Sequence, residues 1–170
     1  MKFQIAAAIF LLVQGGTATQ AQEWFVEVNG PDVFGETHVQ LTVSLDNSND
    51  MIVLKCSSKP DSEFAWLIYA DVKEPRPLVA NILLRSESSG TLKVPAQLIP
   101  WNEKYVALST TDPVDVAKVL AQIGTAQKSI EVGFTVDEID LKSSGSITAR
   151  GSTSASEKFI KNCFNKGFNG

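Results

Sequence analysis

The chain has two cysteines, Cys56 and Cys163, and their positions constrain the fold more than any other feature. Cys56 closes M-I-V-L-K-C, an alternating run that reads as a strand with Ile52, Leu54 and Cys56 in phase. Cys163 closes S-I-T-A-R-G-S-T-S-A-S-E-K-F-I-K-N-C, which starts at Ser146. This stretch reads as a strand to Arg150, a turn at Gly151 and a short helix. In an oxidising compartment the two cysteines are expected to join, pinning the last helix to an interior strand. Such a bond closes a loop of more than a hundred residues, worth about 4 to 5 kcal/mol in the chain-entropy model. Two separate buried thiols are the alternative.

The N-terminus bears on the compartment. Lys2 precedes the apolar run Ile5 to Val13, and Thr19-Gln20-Ala21 places small residues where signal peptidase reads. A bilayer span needs roughly 20 apolar residues, and Gln14, Gly15 and Gly16 end this run early. Residues 1–21 are therefore expected to be a signal peptide, cut after Ala21 with Ala18 as second choice. A retained anchor is the competing reading. Residues 22–170 then form a single β-rich domain, periplasmic or secreted. The absence of a cysteine at the cleavage point argues against a lipid anchor. The net charge of −4 becomes −5 once Lys2 leaves. A mildly acidic domain gathers neither nucleic acid nor anionic lipid. The expected partner is an envelope or secreted protein, with no nucleic acid and no stable membrane insertion after cleavage.

Alternation predicts a strand at Glu23 to Val28, then the turn cluster Asn29-Gly30-Pro31-Asp32. His38 to Leu45 is the clearest strand, with Val39, Leu41, Val43 and Leu45 on one face and His38 on the wet one. Further strands are predicted over Met51 to Cys56, Phe64 to Val72, Leu78 to Arg85, Thr91 to Ile99 and Tyr105 to Ser109. Turns are expected at Asp46 to Asp50 and Ser57 to Ser62, and a break at Lys73 to Pro77. Asp112-Pro113 then opens a helix. Val116, Val119, Leu120 and Ile123 form its apolar stripe, and Gly124 is expected to end it. Ser129 to Val136 is another strand, Asp137 to Ser144 a connection, and Ser146 to Arg150 the last strand. Ser154 and Glu157 suggest a capping box for the final helix, with Phe159, Ile160 and Cys163 inward. Eight or nine strands at this spacing predict a mostly β fold: an antiparallel β-sandwich or open barrel with two short helices.

The order of these features resembles VasI-type periplasmic proteins, which accompany type VI secretion. The segments that carry the likeness are the strand around Trp24, M-I-V-L-K-C at Met51 to Cys56, N-I-L-L-R at Asn81 to Arg85, and A-R-G-S-T-S-A-S-E-K-F-I-K-N-C at Ala149 to Cys163. The resemblance implies a non-catalytic periplasmic β-domain and carries no active-site residues across.

Chemistry-bearing patterns are sparse. A zinc or copper site needs three or four convergent ligands. The single histidine, His38, lies on a polar strand face and reads as a surface residue, so no metal and no cofactor are expected. Asp46-Asn47-Ser48-Asn49-Asp50 lacks the glycine and distal glutamate of a calcium loop and reads as a hairpin turn. Asp137, Glu138 and Asp140 read as a solvated loop. No G-x-S-x-G and no Gly-rich phosphate cradle occur, so no catalytic residue is expected. Trp101, beside Pro100, is either an exposed anchor for a partner, together with Asn102, or a lid folded back on the core. The expected function is a non-catalytic binding or accessory module acting through protein contacts in the cell envelope. Two alternatives stand: a hydrolase of envelope polymer using paired carboxylates, and an inhibitor of a secreted enzyme using a loop such as Pro100 to Lys104.

Overall fold

The computed structural model describes residues 23–46, 48–57, 62–69 and 77–164. The expected leader, turn residues 58–61, residues 70–72 of the third long strand, residues 73–76 of the proline-bearing break and the tail beyond Phe164 lie outside them.

Among the described residues nine strands form one sheet: β1 (Phe25–Asn29), β2 (His38–Ser44), β3 (Met51–Ser57), β4 (Ser62–Tyr69), β5 (Leu78–Ser86), β6 (Gly90–Pro100), β7 (Tyr105–Thr110), β8 (Ser129–Val136) and β9 (Leu141–Thr148). Among the described residues two α-helices, α1 (Pro113–Thr125) and α2 (Ser152–Cys163), accompany the sheet. The spatial order is β1-β2-β3-β4-β7-β6-β5-β8-β9, and every pairing is antiparallel. The alternation read in the sequence sets the inner face. Val39, Leu41 and Val43 of β2 are buried with Ile52, Leu54 and Cys56 of β3 and Phe64 and Trp66 of β4.

The sheet is open but strongly curled. Trp66 on β4 and Phe134 on β8 are separated by β7, β6 and β5, a distance of about 19 Å across a flat sheet. Their ring centroids nevertheless stand 5.1 Å apart in an edge-to-face contact, so the sheet closes over its own interior. The two edges meet without pairing as strands. Trp24 Nε1 donates to the Thr148 carbonyl (2.7 Å), and the Asp46 amide donates to the Ser146 carbonyl (2.9 Å).

The helix α1 carries the chain from β7 to β8. The Asp112 carboxylate caps it, accepting from the Val114 and Asp115 amides, and its Val116, Val119, Leu120 and Ile123 stripe joins the interior. It runs through Gly124 to Thr125, with Ala126 as its C-cap, beyond the end that the sequence suggested. A Cβ on Gly124 would sit 3.4 Å from Ser156 Cβ, so this glycine serves the close approach of α2 and not a helix stop. The helix α2 buries Ala155 and Phe159, while Ile160, expected inward, is exposed. The Cys56–Cys163 disulfide joins α2 to β3 with a Cα–Cα distance of 6.0 Å.

Two other boundaries need correcting. The final strand spans Leu141–Thr148, not Ser146 to Arg150. It recruits half of the expected connection, Leu141 to Ser144, and the other half forms a 3-10 turn over Asp137–Ile139 closed by Asp140. The capping box does not form. The helix starts at Ser152 behind Gly151, which has φ 86°, with no side-chain cap; Ser154 is already inside the first turn.

Candidate functional site

The outer face of the sheet carries a small second apolar cluster. Val53, Ala65, Leu67 and Ala107 are buried there, with Met51, Ile99, Trp101 and Tyr105 packed around them. Trp101 is half-buried, and Lys55 Nζ lies 3.8 Å from its ring centroid, a cation–π arrangement. Desolvation lowers the Lys55 pKa, against the opposing charge of Glu63. Trp101 therefore folds back onto the outer face rather than onto the interior core. Asn102 is exposed, and its Oδ1 accepts from the Lys104 and Tyr105 amides (2.9 and 3.0 Å). It shapes a tight β6–β7 turn.

The β1–β2 connection is where the surface departs most from an ordinary one. Val33 is 92% exposed and Phe34 83% exposed at its tip, and single large apolar side chains in such open settings have no packing role. The loop that carries them is built from local bonds. The Asp32 amide donates to the Glu36 carbonyl (2.9 Å) and the Gly35 amide to the Asp32 carbonyl (3.0 Å). Asp32 Oδ1 accepts from the Phe34 and Glu36 amides (2.8 and 2.9 Å), an Asx arrangement that holds the turn. Gly30 sits at φ 131°, where a Cβ would lie 2.6 Å from the Glu36 oxygen and 2.8 Å from Thr37 Cα. Only glycine allows the loop to close this tightly.

The same loop changes the surroundings of His38. The imidazole is on the wet strand face, as the alternation indicated, but it is not isolated: its Nε2 lies 3.5 Å from Asp32 Oδ2. Asp32, Glu36 and His38 present donor atoms all within 4.8 Å of one another. This is the set among the described residues that a divalent cation could bridge. Asp32 and His38 are exposed, and exposed acidic groups commonly cluster without an ion. The Glu36 and Phe34 amides and the His38 ring hold the Asp32 carboxyl below its ordinary 3.8, the Glu36 amide most, against a lesser desolvation effect.

Paired acids for hydrolysis would have to converge in a groove. Asp46 and Glu131 do line one open groove of about 650 Å³ with Arg85 and Ser146. Each acid is already engaged: Glu131 with Arg85, and Asp46 Oδ2 with the Ser146 hydroxyl at 2.7 Å. These contacts tie β8 to β5 and β9 to the end of β2. Val33 and Phe34 escaped the sequence reading because they fall between periodic segments. The signal was present as two large apolar residues set between Pro31-Asp32 and Gly35-Glu36.

Comparison with protein-family models, with curated proteins and with solved structures gave no match to this chain.

Proposed function

We propose that this protein is a non-catalytic binding or accessory module of the cell envelope, acting through protein–protein contacts. One observation carries the reading: a hydrogen-bonded loop presents Val33 and Phe34 almost fully to solvent. A preformed loop loses little conformational entropy on docking, which favours affinity. An exposed aromatic entering a pocket is a recurring interface anchor. Trp101 and Asn102 are secondary contacts, with Trp101 offering only the part of its ring that the sheet and Lys55 leave open.

Placement in the periplasm or outside the cell belongs to the same proposal. It is supported by the Cys56–Cys163 disulfide, by the leader-like start of the sequence, and by the resemblance to VasI-type proteins. Among the described residues no helix is long and apolar enough to cross a membrane.

The test is mild crosslinking of the full chain in envelope extract, comparing the wild type with Val33→Asp/Phe34→Asp. The variant should keep its melting temperature and lose the co-purifying protein. Equal recovery by both chains would remove the loop from the function. The protruding ordered loop also favours the inhibitor alternative, with Gly30 to Thr37 in place of the β6–β7 turn. In that case the recovered protein is an enzyme whose activity falls when the wild type is added and not when the variant is.

A further inference from the structure

We infer that the surface receiving the Val33–Phe34 tip is an apolar pocket on a folded protein, rimmed by lysine or arginine side chains; this rests on the docking reading above. The hairpin from Glu23 to Leu45 contains four acids, Glu23, Glu27, Asp32 and Glu36, and no lysine or arginine. Glu23, Glu27 and Asp32 are exposed. The exposed large apolar residues Phe25, Val28, Val33 and Phe34 lie on the same hairpin. Apolar anchors within an acidic field select a complement that is apolar at its centre and basic at its rim.

Among the described residues, the cations of neighbouring elements leave that field in place at the tip. Lys158 on α2 donates to the Val26 carbonyl (3.0 Å), at the end of β1 remote from the loop. Lys55 on β3 is drawn over Trp101. His38 faces Asp32, where the native pKa of the acid keeps the carboxylate charged at neutral pH. The other possible occupants are disfavoured by the same charges. An anionic bilayer surface would be repelled. A second copy meeting the first through a two-fold axis would set the acids of one hairpin against those of the other.

The experiment places a photo-crosslinking residue at position 34 of the full chain. It is irradiated in envelope extract of the producing cells, and separately with phosphatidylglycerol vesicles. Extract samples are run at about 50 mM and about 500 mM salt, a range over which the screening length shortens severalfold. The expected result is one protein adduct, mapped to a partner peptide with lysine or arginine beside the attachment point. Its yield should fall roughly tenfold at high salt, and similarly in Glu27→Lys at low salt. Glu27→Gln serves as a second variant should Glu27→Lys not fold. A protein adduct insensitive to salt and to both charge variants overturns the basic rim while leaving the docking loop standing. A lipid adduct, or an adduct to a second copy, overturns the partner class. No adduct at either salt overturns the docking reading itself.

Discussion

Asp32 shapes the loop with one oxygen and faces His38 with the other. Because its native pKa is depressed, the loop bonds it accepts are fully present above the unfolded value of 3.8 and are lost as pH falls through the lower native value. In an acid titration followed by NMR, the Phe34 and Glu36 amide protons should move toward unstructured positions with a midpoint below 3.8. A midpoint at or above that value would mean the carboxylate does not hold the turn. Asp32→Ala should reproduce the acid shifts at neutral pH. Gly30→Ala is the harsher change: its Cβ would meet backbone atoms of Glu36 and Thr37, which cannot swing aside. The loop must reopen, at about 1 to 3 kcal/mol of local strain, and the crosslink from position 34 should disappear with the fold intact. At this scale the sequence was half legible. Alternation placed His38 on a wet face. The convergence of Asp32 and Glu36 on it depends on positive φ at Gly30 and Gly35, which no spacing announces.

Elements were legible where side chains alternate or stripe, and illegible where the backbone alone makes the structure. The strand β9 begins five residues before its predicted start because Leu141 to Gly145 pair through main-chain groups with Val136 to Val132. Its first four side chains all face solvent, so no inward alternation marks it. The two helix starts separate a real cap from an apparent one. Asp112 accepts two amides, so Asp112→Ala should cost about 1 kcal/mol. Glu157 was read as half of a capping box that Gly151 replaces, so Glu157→Ala should fall within about 0.5 kcal/mol of the wild type. Urea unfolding of both variants checks the pair; equal losses would restore the box.

For the whole molecule, the disulfide and the two helices were readable from residue order, whereas the strand order was not. The chain leaves β4, forms β5 and β6 elsewhere, and returns β7 to β4, a choice made by interior packing such as Trp66 on Phe134. The disulfide acts on this arrangement through α2. That helix covers β1 and β2, buries Phe159 completely, and gives Lys158 to the outward carbonyl of Val26. A lysine at a sheet edge blocks pairing with another chain. Losing the sulfur link should therefore do two things together. Stability should fall by up to about 4 to 5 kcal/mol, comparable to the roughly 3 to 5 kcal/mol expected for Phe159→Ala. Fraying of α2 should also uncover the β1 edge and promote self-association. Cys56→Ser should match the reduced wild type in melting temperature, and both should scatter more light than the oxidised protein at equal concentration. A Cys56→Ser chain that melts lower but stays monomeric would show that β1 is protected by its own shortness. One that keeps the wild-type melting temperature would show that Phe159 and Ala155 hold α2 without the bond.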